Sequence, residues 1–208
     1  MKLLVISDTH GHIDRAVRLL PLFHDLDLIV HLGDYLRDAE KLQKFTDIKV
    51  IAVGGNCDGL TARSEAVVGI DSPFGPLLIT HGHLHGAKNG IDRLLYLAAE
   101  RDAKAVLFGH THTPFFGVFD GISLVNPGSL SLSGTQNQGT YAVLTIDEAG
   151  ISCSLVNYKD PPTPIPPKTP VPETTQNNPM QETKQKNPRE PKQTGGFLRD
   201  ILNNSDRF

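Results

Sequence analysis

The chain has 208 residues, 38% of them hydrophobic, with two cysteines, no Trp and a formal net charge of −3. One domain with a respectable core is expected, two full domains and a disulfide framework are excluded, and no run approaches a membrane span. Charge is uneven: residues 159–208 hold 8 Lys+Arg and 6 Asp+Glu, leaving 12 and 17 to residues 1–158, so the globular part lacks the basic excess that grips a nucleic-acid polymer.

The first apolar run, residues 2–6, enters a charged turn at once and is too short for a signal peptide, so a cytoplasmic protein is expected. Residues 13–24 carry Ile13, Val17, Leu20 and Phe23 at helical spacing. Strands over 28–32 and 50–53 follow, separated by a helix near 38–45. Strand, helix, strand, helix, strand implies a parallel arrangement with right-handed crossovers.

The second half changes character. Runs at 66–70 and 77–80 flank a turn-rich loop and suit a hairpin. Residues 90–101 form the last clear helix, with Ile91, Leu94, Leu95 and Ala98 on one face, and 105–108 reads as a buried strand. Strands over 115–119, 122–125, 141–146 and 151–156 complete the domain. So many strands with so few helices predict an α/β architecture of two sheets face to face, flanked by helices.

Beyond residue 158 the composition shifts. Residues 159–194 hold ten prolines and only Ile165, Val171 and Met180 as large apolar residues, too few to offset the entropy of ordering them, so a Pro-rich, extended and disordered linker is expected. Residues 195–208 recover apolar residues on one face of a short amphipathic segment. That segment reads either as a tail without a role or as a tethered docking peptide for a partner.

The chemistry lies in five clusters, each following an apolar run: Asp8 and His10, Asp34, Asn56, His81, and His110 with His112. Taken singly, the first three read equally well as helix caps and turns. His81-Gly82-His83 and Gly109-His110-Thr111-His112 are harder to explain as turns, because imidazoles beside glycine at strand ends are poor turn formers and good ligands for divalent ions. Together the five clusters predict a centre for two divalent cations at one edge of a sheet.

Ser7-Asp8-Thr9-His10, Gly33-Asp34, Gly55-Asn56, Thr80-His81-Gly82-His83 and Gly109-His110-Thr111-His112-Thr113-Pro114, with Asn126-Pro127-Gly128-Ser129 beyond, resemble the calcineurin-like metallophosphoesterases, especially the small YfcE-type phosphodiesterases. The resemblance spans about residues 1–157 and implies a four-layer sandwich of two mixed β-sheets flanked by helices. It implies Asp8, His10 and His112 on one metal, Asn56, His81 and His110 on the other, and Asp34 bridging them. Manganese is the expected metal, with iron, zinc or nickel left open. The loop 126–129 is expected to pack near the site without ligating.

Such a centre stays net positive in an acidic protein and lowers the pKa of water from about 15.7 toward ~7, which supplies a bridging hydroxide for in-line attack on a phosphodiester or phosphomonoester. One residue departs from the family. Many larger relatives carry a His after the ligand Asn, where this chain has Cys57, so esters with acidic leaving groups are expected to react best. His83 is the expected stand-in, as proton donor or as an orienting group. Small phosphate esters are the expected substrates, and a homo-oligomer stays open. The alternative is a metal-binding interaction scaffold, resembling the retromer subunit of vacuolar protein sorting, with little or no hydrolytic activity.

Overall fold

The computed structural model describes residues 1–59, 66–131 and 138–159. The proposed linker and amphipathic segment therefore lie outside the described residues. In chain order the described elements are β1 (Lys2–Ile6), α1 (Asp14–Leu19), β2 (Leu28–His31), α2 (Leu36–Leu42), β3 (Val50–Ala52), β4 (Val67–Ile70), β5 (Leu77–Thr80), α3 (Asp92–Glu100), β6 (Ala105–Phe108), β7 (Pro114–Phe119), β8 (Ile122–Pro127), β9 (Thr140–Asp147) and β10 (Gly150–Asn157).

They build two five-stranded sheets, β10-β9-β1-β2-β3 and β4-β5-β6-β8-β7. In the first, β1, β2 and β3 are parallel, with Leu4 opposite Ile29 and Val30 opposite Ile51. In the second, β5, β6 and β8 are parallel, with Ile79 opposite Leu107 and Leu107 opposite Val125. Hairpins β4/β5, β7/β8 and β9/β10 add the antiparallel edges. Asp120 and Gly121 take left-handed backbone (φ 50° and 80°) at the β7/β8 turn, as a two-residue hairpin loop requires.

The central strands are buried on both faces, and their alternation sorts the core into layers. Leu3, Val5, Leu28 and Val30 meet Leu77, Ile79, Leu107 and Val125 between the sheets. Leu4, Ile6 and Ile29 instead pack on Ala16 and Leu19 of α1 and Leu42 of α2. Leu78, Val106 and Leu124 pack on Leu94, Leu97 and Ala98 of α3. Helix, sheet, sheet, helix is the four-layer sandwich, and each fully buried Leu or Ile contributes roughly 1.5–3 kcal/mol.

Boundaries shift by a few residues from the sequence reading, most clearly in the first two helices. The helix expected over 13–24 ends at Leu19, because Pro21 has no N–H to donate and the chain tightens into a 3₁₀ turn over Leu20–Leu22. The helix expected from Asp38 starts earlier, at Leu36. No helix among the described residues is long and apolar enough to cross a membrane.

Candidate metal centre

All five clusters lie just past the carboxyl ends of parallel strands β1, β2, β3, β5 and β6. The backbone there is unusual, with positive φ at Asp8 (54°), His10 (48°), Asp34 (54°), Tyr35 (74°), His110 (67°) and His112 (59°). Non-glycine residues in that region each cost about 1–3 kcal/mol, so six of them at one sheet edge mark a site that the rest of the fold holds in place.

The side chains form a continuous chain of close approaches. His112 Nε2 lies 3.1 Å from Asp8 Oδ1, and His10 Nε2 lies 3.4 Å from His112 Nε2 and 3.8 Å from Asp34 Oδ2. Asp34 Oδ1 is 3.3 Å from His81 Nε2, which is 3.1 Å from Asn56 Oδ1. The rings of His81 and His110 are 5.1 Å apart. Asp34 thus stands between an Asp8–His10–His112 group and an Asn56–His81–His110 group. One potential ligand atom from each of Asp8, His10, Asp34 and His112 can be chosen so that all four lie within 4.8 Å of one another.

This donor set fits divalent cations. His81 Nδ1–H donates to the Leu32 carbonyl (2.7 Å), so in the neutral ring Nε2 presents a lone pair to two oxygen acceptors. Asp8 Oδ2 accepts from the Ser7 hydroxyl (2.6 Å) and the His110 N–H (3.1 Å), while its buried Oδ1 faces the cluster without a hydrogen bond. Carboxylate oxygens, imidazole nitrogens and an amide oxygen converging at these separations suit a divalent cation, with imidazole protons able to take its place when the site holds none.

Electrostatics follow the same layout. Burial pushes the Asp8 carboxyl up, but the His112 and His81 imidazoles and the Ser7 hydroxyl outweigh it and hold it below the ordinary value. The Asp8 carboxylate in turn raises His112. Burial, aided by Lys88 and His81, lowers His110 to about 4. His83 is lowered mainly by burial and then by His81, and its Nδ1 is buried without a hydrogen bond. Its ring stands 5.2 Å from His81 and 6.1 Å from His110. Cys57 is exposed beside Asn56, and desolvation of its thiol together with Asp34 and Asp58 pushes it up to about 11.

Supports hold these loops, and among them the sequence reading singles out the loop 126–129 but not Asp38 or Asp58. Asp38, buried on α2, accepts from the Thr9 hydroxyl (2.8 Å), the Gly11 N–H (2.7 Å) and Lys41 Nζ (3.3 Å). The Gly33 N–H donates to His31 Nδ1 (3.2 Å), leaving Nε2–H for Thr9 Oγ1 (3.0 Å). Asp58 accepts from the Gly55 and Leu36 N–H groups (2.7 and 2.5 Å). Asn126 donates to the Gly109 carbonyl (2.9 Å) and Ser129 to the Asp8 carbonyl (2.9 Å), so the loop 126–129 packs against the site loops. Gly33 and Gly109 are required, since a Cβ would strike the His81 ring in one case and Ser7 in the other. Tyr35 shows an exposed ring edge-on to His10, with centroids 5.6 Å apart.

Residues 1–149 match the model of the calcineurin-like phosphoesterase superfamily domain. The chain belongs to that family. Among its relatives, the phosphodiesterase YfcE of Escherichia coli K12 is 32% identical over 171 residues, covering 71% of this chain and 89% of YfcE. A solved structure from Streptococcus pneumoniae TIGR4, described as a predicted phosphoesterase, superposes with a TM-score of 0.64 at 29% identity, covering 77% of this chain and 92% of that one. Vps29 of Entamoeba histolytica, solved in complex with Zn2+, shares the fold with a TM-score of 0.60 at 18% identity over 76% of this chain and 100% of its own. Calcineurin-like phosphoesterases thus include this four-layer chain, and the Asp8, His10, Asp34 and His112 cluster is its candidate metal site.

Proposed function

We propose that residues 1–158 form a metal-dependent phosphoesterase that hydrolyses small phosphodiesters, or phosphomonoesters, at a dinuclear centre. Asp8, His10 and His112 hold one divalent cation, Asn56, His81 and His110 hold the other, and Asp34 bridges them. The observation that carries this reading is the run of carboxylate, imidazole and amide atoms able to ligate a cation, from Asp8 Oδ1 to Asn56 Oδ1, spaced 3.1–3.8 Å. When bound, two dications supply positive charge for the phosphoryl oxygens and a water acidified to about pKa 7, neither of which this acidic domain provides by itself. Manganese is the first candidate, with iron, zinc or nickel as alternatives.

The chain's own side chains bind, orient and manage protons. Asp8 and Asp34 supply the ligand carboxylates, and the His81 bond to Leu32 keeps Nε2 pointed inward. A thiol pushed up to about 11 makes Cys57 a poor proton donor, so acidic leaving groups react best. His83, beside His81 and His110, is the proposed proton donor or orienting group for the leaving oxygen. We further propose residues 159–194 as a linker and 195–208 as a short amphipathic segment, either a tail without a role or a docking peptide, in a cytoplasmic protein.

The test measures metal content and turnover together. Protein stripped with a chelator and reconstituted with Mn2+ is expected to bind two ions per chain and hydrolyse bis(p-nitrophenyl) phosphate. Metal binding without turnover would instead favour the interaction scaffold, to which the fold likeness to Vps29 lends its only support.

A further inference from the structure

After β2 three consecutive residues take left-handed backbone, Gly33 (φ 100°), Asp34 (54°) and Tyr35 (74°). Two of the three have evident reasons. Gly33 faces the His81 ring, where a Cβ would come within 2.7 Å of Nδ1, and Asp34 lies at the middle of the ligand run. Tyr35 has no such reason in its backbone: its carbonyl accepts the Asp38 N–H (2.8 Å), a bond that glycine or asparagine would make there with less strain.

What distinguishes the position is its side chain. Tyr35 is 43% exposed and belongs to none of the three apolar clusters. Its one ring neighbour among the described residues is His10, met edge-on at 75° and 5.6 Å. His10 Nε2 is in turn 3.8 Å from Asp34 Oδ2 and 3.4 Å from His112 Nε2, so the phenol stands at the rim of the ligand cluster, on a residue that is partly open to solvent. A strained, uncovered aromatic ring beside a site for phosphate esters is suited to stack a flat group carried by the ester.

We propose that Tyr35 is a specificity-determining residue whose exposed ring receives a planar aromatic substituent of the phosphate ester, an aryl group or a nucleobase, held at the same centre. This rests on the phosphoesterase reading above. Stacking of that kind favours an aromatic over a methyl substituent by about tenfold in affinity. The hydroxyl is not needed for it, so phenylalanine preserves the preference and glycine removes it.

The experiment uses the full chain reconstituted with Mn2+ and compares phenylphosphonate with methylphosphonate as inhibitors of bis(p-nitrophenyl) phosphate hydrolysis. The wild type is expected to bind phenylphosphonate about tenfold more tightly, Tyr35→Phe to keep that ratio, and Tyr35→Gly to bring it close to unity. Calorimetric Mn2+ affinity is expected to be the same in all three proteins. Adenosine 5′-phosphate identifies the source: the same Tyr35-dependent gain points to a nucleobase, and its absence alongside a phenyl gain points to a small aryl ester. A ratio unchanged by Tyr35→Gly, an equal loss for both phosphonates, or weakened Mn2+ binding overturns the proposal while leaving the phosphoesterase standing. A wild type that turns over the diester but binds neither phosphonate also overturns the proposal, whereas failure to turn over the diester removes the phosphoesterase reading itself.

Discussion

The two ends of the run from Asp8 to Asn56, the proposed dinuclear centre, are built differently. At the Asp8 end every support is buried: Asp8 is 0% exposed, and the loop around it is tied by Ser7, Ser129, Asp38 and His31. At the Asn56 end the side chain is exposed, next to an exposed Cys57, and the loop is held mainly by Asp58. Preorganisation lowers the ordering cost of binding, so the Asp8 end should hold its cation more tightly and the Asn56 end should exchange. Asp34 belongs to both ends, which makes it the place where the asymmetry disappears.

Asp34→Asn should therefore have the largest effect. Losing the shared carboxylate should reduce turnover by about a thousandfold or more at any metal concentration, measured with an activated diester under saturating Mn2+. Near-normal turnover would contradict a shared ligand.

The buried end also predicts a pH signature in stability. Burial lowers His31 from 6.5 to about 4, so the folded protein keeps it neutral while the unfolded chain takes up a proton below 6.5. Stability tied to this ring is fully present above pH 6.5 and is lost as pH falls toward 4, by roughly 3 kcal/mol in all. Denaturant unfolding at pH 7 and pH 4.5 should show a steeper loss in the wild type than in His31→Asn. Equal slopes would mean that His31 is not kept neutral by the fold.

Next in size come two variants that set the ends against each other. Asp38→Ala leaves the Gly11 N–H and the Thr9 hydroxyl without their acceptor and should weaken the tighter cation by about 10- to 100-fold. Asn56→Ala should weaken only the second cation, about tenfold, with turnover recovered by added Mn2+. Calorimetric titration of both variants separates the two phases. If Asn56→Ala depletes the tighter phase, the order of the two ends is reversed.

Much of this was legible in the sequence, for reasons that differ by residue. The strands were visible because β1, β2, β5 and β6 are short, near-continuous apolar runs buried on both faces. The candidate ligands were visible because Asp, Asn and His cluster where those runs stop, most of them beside glycine. The supports at Asp38 and His31 were not visible. Asp38 looks like any acidic residue in a first helical turn, and only the fold brings it to Thr9, 29 residues away. His31 reads as part of its strand until Gly33 and Thr9 are seen at its two nitrogens. Left-handed backbone at Tyr35 leaves no trace in composition, since aromatic residues rarely adopt it. The return of β9 to pair with β1 was equally hidden, because register between distant strands is a tertiary property.

The smallest effect concerns the open end alone. Cys57 follows Asn56, the position at which the resemblance to larger relatives would put a proton-donating His, yet its thiol is pushed up to about 11 and holds its proton too firmly to give it away efficiently near neutrality. Cys57→His places an imidazole on the same exposed loop, where the Asp34 and Asp58 carboxylates would favour its protonated, donating form. Good leaving groups such as p-nitrophenolate need no acid, so their turnover should change by less than about twofold. Alkyl esters should gain several-fold, and the gain should fade as pH rises above the imidazole pKa, which is the mark of a protonated donor. A gain for both ester classes, or one that persists at high pH, would point instead to a changed fit around Asn56 and would leave His83 as the proton donor to test next.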